Sequence, residues 1–294
     1  MKIGFIYPYS HSDPEEVARI GVTAETLGFD YLLAYDHVLG AQRSGRDRPL
    51  DGPYGLRDPF HDPLLLFTFL SALTVDLEFA TGVLVLPQRQ TALVARQAAT
   101  LAILCHDRLR LGVGAGWNYV EFQAMGAEFA TRGTRLDEQI PLLRRLWREE
   151  MISTQGEFHQ IERAGLLPRP KSDIPIWIGG YGDRAFRRGA ELGDGFMFTG
   201  TAEQNRGSTP QAVVDRAVSG LRRFRELRDA SGGISEDFGL ELLVNSQDRA
   251  GVKVIADAWR GVGGTHLCIS SAHLGAIDLA KRLDYMSAVV DAAR

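Results

Sequence analysis

The sequence predicts an α/β protein of the (β/α)8 TIM barrel class, and three observations carry that reading. Short apolar runs alternate with amphipathic segments along the whole 294 residues, such pairs number eight, and no linker interrupts them. A doubly wound open sheet is the alternative, but such sheets usually stop at about five to seven strands. Barrels of this length are commonly one unit, so residues 1–294 are expected to form a single domain.

The first strand is the run Lys2 to Tyr7. Asp13-Pro14-Glu15-Glu16 then supplies a capping carboxylate, a proline in the first turn and acidic residues where the helix dipole favours them, opening a helix to Leu27. Phe29 to Ala34 is the second strand. The stretch from Gly40 to Pro59, rich in Gly, Arg, Asp and Pro and without period, is a loop long enough to suggest function. Asp62-Pro63 repeats the capping signal before a helix through Leu73. Glu78 to Leu86 is strand three, Ala92 to Leu104 its helix, and Leu109 to Val113 strand four; helical segments follow around Glu121 and from Thr134 to Glu149. Residues 152–170 break the rhythm, and Gln155-Gly156-Glu157-Phe158 reads as the turn of a small inserted hairpin. Strands five and six are Ile176 to Ile178 and Gly195 to Phe198, with a helix from Arg184 to Leu192 between them. Thr209-Pro210 caps a sixth helix whose Val213, Ala217, Leu221, Phe224 and Leu227 recur every three or four residues. Leu240 to Val244, a helix from Val252 to Gly261, His266 to Ile269 and a last helix from Ile277 to Ala292 complete the series.

A net charge of -4 and a pI near 6.0 give no basic field to draw the chain onto nucleic acid. The sequence opens on a strand rather than a basic, apolar leader, and no apolar run reaches the roughly 18 residues that span a bilayer. A cytoplasmic protein with neither nucleic-acid nor membrane partners is expected. Cys105 and Cys268 read as small buried hydrophobes, and the seven histidines lack HxH or HExxH spacing, which argues against a metal centre.

In such a barrel the residues just past each strand converge on one mouth. Strand two runs into Asp36-His37, strand three into Gly82 through Pro87, strand four into Gly112-Val113-Gly114-Ala115-Gly116-Trp117, strand five into Gly179-Gly180-Tyr181-Gly182, and strand six into Phe198-Thr199-Gly200. The two glycine clusters precede helices, and backbone N–H groups without neighbouring Cβ atoms can approach a phosphate there; the other reading is a pair of tight turns. His37 beside Asp36 suits acid/base work, or is a histidine satisfied at a strand end. Trp117, Tyr181 and Phe198 offer rings to a planar heterocycle, or pack beneath loops. Arg43, Arg46, Arg48 and Arg57 in the long loop meet an anionic ligand or stay solvated.

The segments Lys2-Ile3-Gly4, Tyr35-Asp36-His37, Thr81 through Pro87, Arg108 through Trp117, Gly165 through Pro170, Pro175 through Gly180 and Leu192 through Phe196 carry a resemblance over nearly the whole length. In them the chain resembles the luciferase-like monooxygenase superfamily and, within that, the branch of coenzyme F420-dependent oxidoreductases. The resemblance implies a deazaflavin lying across the barrel mouth, backed by a non-proline cis peptide at Gly82-Val83. It implies a phosphate held after strands four and five by Gly114, Ala115, Gly116, Gly179 and Gly180, with Asp36 near the ring; Trp117, Tyr181, Phe198 and Thr199, placed at the same mouth by their strand ends, are the further expected cofactor contacts. His37 maps onto a recurring active-site histidine, with Asp36 beside it. Hydride transfer to or from a small organic substrate is the implied reaction, and a homodimer the implied assembly. Some relatives place a glutamate directly after the strand-four glycines; Trp117 stands there, which puts their sugar-oxidising chemistry in doubt. An FMN-dependent monooxygenase of the same fold and a non-catalytic flavin-binding barrel are the alternatives. A hydrolase or lyase would need a nucleophile elbow, a lysine motif or paired metal carboxylates, and none is visible.

Overall fold

Eight parallel staves close into a barrel in the computed structural model, which describes residues 1–198, 208–230, 237–245 and 248–294. The strands are β1 (Lys2–Ile6), β2 (Tyr31–Ala34), β3 (Glu78–Thr81), β4 (Leu84–Val85), β5 (Leu109–Gly114), β6 (Ile152–Gln155), β7 (Gln160–Ala164), β8 (Ile176–Gly180), β9 (Gly195–Phe198), β10 (Gly239–Asn245) and β11 (His266–Ser270). Closure rests on β1 pairing with β11, Lys2 opposite His266, and on β3 pairing with β5, Phe79 opposite Leu109. The open sheet is thereby excluded. The strand expected over Glu78 to Leu86 is split into β3 and β4 at Gly82–Val83, and together they make the third stave. Strands β6 and β7 pair only with each other, antiparallel, as the expected hairpin.

The helices are α1 (Pro14–Thr26), α2 (Pro63–Ser71), α3 (Thr91–Leu104), α4 (Tyr119–Ala124), α5 (Arg132–Arg148), α6 (Asp183–Leu192), α7 (Pro210–Asp229), α8 (Arg249–Gly261) and α9 (Leu279–Ala293). The capping signals act as their chemistry requires: Asp13 accepts from the N–H groups of Glu15 and Glu16, Asp62 from those of Leu64 and Leu65, and Thr209 from that of Ala212. Among the described residues no helix is long and apolar enough to cross a membrane.

Alternate strand residues face opposite ways, so the core has two parts. Phe5, Phe79, Leu111, Ile176 and Phe196 face outward and pack under the helices with Phe67, Phe224 and Trp259. Ile6, Tyr31, Leu33, Ala80, Trp177, Met197, Leu243 and Cys268 fill the barrel itself, and both cysteines are free and buried. The interior also holds a charged pair, Arg110 to Glu241 at 3.1 Å, with the Tyr31 hydroxyl donating to Glu241 and the guanidinium 3.9 Å from the Trp177 ring centre. Burial raises the Glu241 carboxyl and, with Arg110 close by, drives His266 down to about 2.

At the opposite end from the mouth, Glu25 of α1 accepts N–H bonds from Val75, Asp76 and Leu77, at 2.7–2.9 Å, and so ties α1 to the lead into β3. Burial pushes its carboxyl up, but the three N–H bonds outweigh this and hold it below its ordinary value. A carboxyl depressed in the fold contributes stability above its unfolded pKa and loses it as pH falls through the folded one. Glu25→Gln is therefore expected to lower stability by about 1 kcal/mol at neutral pH, a charged hydrogen bond discounted for solvent exposure. Urea titrations should show that deficit shrinking toward nothing in acid.

Candidate active site

The end of β2 delivers two adjacent ionisable residues to different tasks. Asp36, 2% exposed, takes Arg89 at 2.6 Å on Oδ1, and on Oδ2 it accepts the Val85 N–H at 2.9 Å and the Arg89 Nε–H at 3.1 Å. Arg89 also reaches Asp62, the cap of α2, at 3.1 Å. The expected joining of Asp36 with His37 in acid/base work is thus corrected: the Asp36 oxygens are spent on fixing the top of the third stave. His37 instead meets Glu121 of α4, Nδ1 to Oε1 at 2.7 Å, and that carboxylate is 1% exposed. Gln88 and Asn118 donate to Glu121 at 3.1 and 2.9 Å and stop it turning away. Tyr54, Phe60 and Trp117 surround the His37 ring, with centroids 5.2, 4.8 and 5.6 Å away.

Beneath them lies the break in the third stave, where the Gly82–Val83 peptide is cis. Val83 packs on the barrel's interior cluster together with Tyr9 and Tyr35. A Cβ on Gly114 or on Gly179 would fall inside van der Waals contact with the Val83 methyl groups, and one on Gly116 would strike Val85. Packing against the third stave is therefore one reason for these glycines, a reason that phosphate binding alone does not supply. Gly116, with φ +73, also needs the left-handed conformation for its turn.

Both glycine turns border one cleft of about 1100 Å³, together with Val83, Ala115, Trp117 and Tyr181. Helix α6 begins there behind Gly182, which has no side chain to cap the first-turn N–H groups; the acid of that turn, Asp183, is bonded to Arg223. Arg132, Arg184, Arg187 and Arg188 line the wall against the carboxylates Asp137 and Glu191. Tyr181 is 55% exposed and free to cover a ligand. Phe198 is not at the mouth. On β9 it shares outward parity with Phe196 and packs against Phe186, Phe224 and Trp259, while Met197 takes the inward position. Thr199 lies outside the described residues.

Sequence reasoning missed Glu121, Arg89, Tyr54 and Arg132. Asn118 and Glu121 stand three apart at the start of α4, which reads as a capping box, and Asn118 does cap Val120. That spacing hides the second use of the glutamate. The long loop over Gly40 to Pro59 is held on α4 by Ala41, Leu50 and Tyr119 and brings Tyr54 to His37 and Gly52 against Trp117.

The luciferase-like monooxygenase family model matches residues 1–224. The chain belongs to that family. A similar family protein is an uncharacterised one of Mycobacterium tuberculosis, 34% identical over 226 residues, 76% of this chain and 75% of that one. An F420-dependent glucose-6-phosphate dehydrogenase of Nakamurella multipartita is 29% identical over 225 residues, and the match spans 76% of this chain and 61% of the relative. Among solved structures, an F420-dependent secondary alcohol dehydrogenase in complex with an F420–acetone adduct superposes with a TM-score of 0.76 at 16% identity, over 100% of this chain and 99% of that one. The last likeness is one of fold.

For this luciferase-like chain the seat of Val83 can be tested directly. Gly179→Ala is expected to cost about 1–3 kcal/mol by overpacking, because the new methyl and Val83 compete for one space. Pairing it with Val83→Ala should restore most of the loss in urea midpoints, a coupling that two independent sites would not show.

Proposed function

We propose that this protein is an F420-dependent oxidoreductase that transfers a hydride between the deazaflavin ring and a small organic substrate, with His37 handling the accompanying proton. The observation that carries this reading is the His37–Glu121 pair beside Trp117, which also borders the cleft floored by Val83. The family membership and the F420-dependent relative support the cofactor; FMN is the alternative that binding must separate.

The residues present fit such a group. A cleft with a branched apolar side chain on its floor suits a flat ring, and an uncapped helix start flanked by arginines suits a phosphate. Gly114, Ala115, Gly116, Gly179 and Gly180 would hold the phosphate end, and Val83 and Trp117 the ring. When bound, the deazaflavin supplies the hydride chemistry, and the protein supplies orientation and electrostatics.

The Glu121 carboxylate can only accept, so Nδ1 of His37 carries the N–H and Nε2 is the nitrogen left for proton exchange. Nε2 is then the atom that takes a proton from a substrate hydroxyl, or returns one in the reverse direction. The surrounding rings of Tyr54, Phe60 and Trp117 keep water from that nitrogen and favour an apolar substrate portion. One domain over residues 1–294 and a homodimeric assembly complete the proposal.

Apoprotein titrated with F420 and with FMN should bind F420 at least tenfold tighter, about 1.4 kcal/mol; the reverse order would make it an FMN enzyme. His37→Ala should lower kcat by about 10²–10⁴-fold with the cofactor Kd little changed. Unchanged turnover would remove the histidine from the reaction, and cofactor binding without turnover over a broad panel of alcohols would favour a binding protein.

A further inference from the structure

The buried tyrosines of this chain place their hydroxyls on acceptors: Tyr7 donates to the His11 carbonyl, Tyr31 to Glu241 and Tyr119 to the Arg48 carbonyl. Tyr9 is half-buried, yet its hydroxyl is wholly covered and meets no partner in hydrogen-bonding geometry. Such a group has given up its bonds to water with nothing in return, and a ligand that supplies the partner gains by it.

Tyr9 stands where three phenols converge. It follows β1, Tyr35 follows β2, and Tyr54 comes from the long second loop; ring centroids lie 5.4 Å apart for Tyr9 and Tyr35, 6.0 Å for Tyr9 and Tyr54, and 5.9 Å for Tyr35 and Tyr54. Tyr35 keeps the inward parity of Tyr31 and Leu33, and with Tyr9 and Val83 it packs on the barrel's interior cluster. The phenols thus share their support with the side chain on the cleft floor, and Tyr54 is 5.2 Å from the His37 ring. All three rings are half-buried, so part of each is open at the mouth.

The cluster is neutral and lacks a cation. Burial holds the three phenols well above their ordinary value, and Tyr54 adds to this at Tyr9 and Tyr35. Acids push the same way, Asp58 at Tyr54 and Glu241 at Tyr35. Among the described residues, guanidiniums stack on other rings, those of Phe79, Tyr31, Trp177, Tyr119, Phe129 and Phe238. Arg89 is taken by Asp36 and Asp62, and Arg43, which is exposed, reaches Tyr54 at its carbonyl.

We infer that the hydroxyls of Tyr9, Tyr35 and Tyr54 form a substrate subsite for an uncharged oxygen, a hydroxyl or carbonyl remote from the carbon that reacts. This rests on the hydride-transfer reading and names its substrate class: neutral alcohols or ketones with a second oxygen function, to the exclusion of those bearing a phosphate or carboxylate. A phenol both donates and accepts, so the cluster can complete the bonds of either kind of oxygen. An anion would lose its water there and find acids where it needs a cation. An alcohol without the second oxygen leaves the Tyr9 hydroxyl unpaired and gains nothing from the subsite.

The experiment compares cyclohexanol, a set of cyclohexanediols with the two hydroxyls at different separations, and hydroxycyclohexanecarboxylate. Each serves as substrate of the F420-loaded protein and as ligand in calorimetry, with wild type, Tyr9→Phe and Tyr54→Phe. At least one diol is expected to show a KM and a calorimetric Kd at least about tenfold below those of cyclohexanol, and the carboxylate values at least about tenfold above them. Each variant should still bind F420, which reports its fold, and should lose most of the diol's advantage; damage to packing alone would weaken diol and cyclohexanol together and leave their ratio intact. Equal constants for the diols and cyclohexanol in wild type, a preferred carboxylate, or a ratio that survives both variants would overturn the subsite, while turnover with F420 would keep the hydride-transfer reading standing. Diol preference in calorimetry without turnover of any of these alcohols would overturn that reading and keep the subsite, and absence of both would overturn both.

Discussion

The fit of Val83 into the space left open by Gly114 and Gly179 registers the whole mouth of the barrel. Because neither glycine has a Cβ, strands β5 and β8 accept the side chain between them, and the third stave can resume as β4 with Leu84 opposite Val113 and Val85 opposite Gly114. Val85 then packs where Gly116 has no side chain, and its N–H reaches Asp36. Through Arg89 the same carboxylate is linked to the cap of α2. One apolar contact thus sets the relative height of three strand ends, and the cleft inherits its floor from that setting.

Much of the fold was legible because its signals are local. Cap-plus-proline pairs at Asp13, Asp62 and Thr209 announce helices through a hydrogen bond spanning two or three residues, and the chain honours each of them. Roles that depend on distant partners were not legible. Asp36 meets Val85 and Arg89 across 49 and 53 positions, and His37 meets Glu121 across 84. Phe198 was misplaced for a different reason: a parallel strand buried on both faces is apolar at every position, so Gly195 to Phe198 carries no alternation to reveal which way the last ring points. The glycine clusters were located correctly at strand ends, yet part of their cause lay in a side chain about 30 and 100 positions earlier in the chain.

The two carboxylates near His37 divide their work according to what neutralises them. Asp36 shares its charge with a buried guanidinium and a backbone N–H, so little of its field remains for the imidazole next door. Glu121 has only neutral donors besides the histidine, the amides of Gln88 and Asn118, and these orient its charge without cancelling it. Adjacency in sequence therefore misleads here, because the nearer acid is electrostatically spent and the farther one is not.

The same distinction between spent and available charge separates the two ends of the barrel. At the N-terminal end Lys2 meets Glu78, Arg144 meets Asp194, and the interior Arg110 is answered by Glu241, so the worth of these charges is structural. At the mouth, Arg48 and Arg132 are brought together by stacking on Phe129, and Arg132 by bonds to the carbonyls of Gly116 and Phe129, with no ion pair to either. Leaving like charges clustered costs stability that a single acidic substitution nearby would recover.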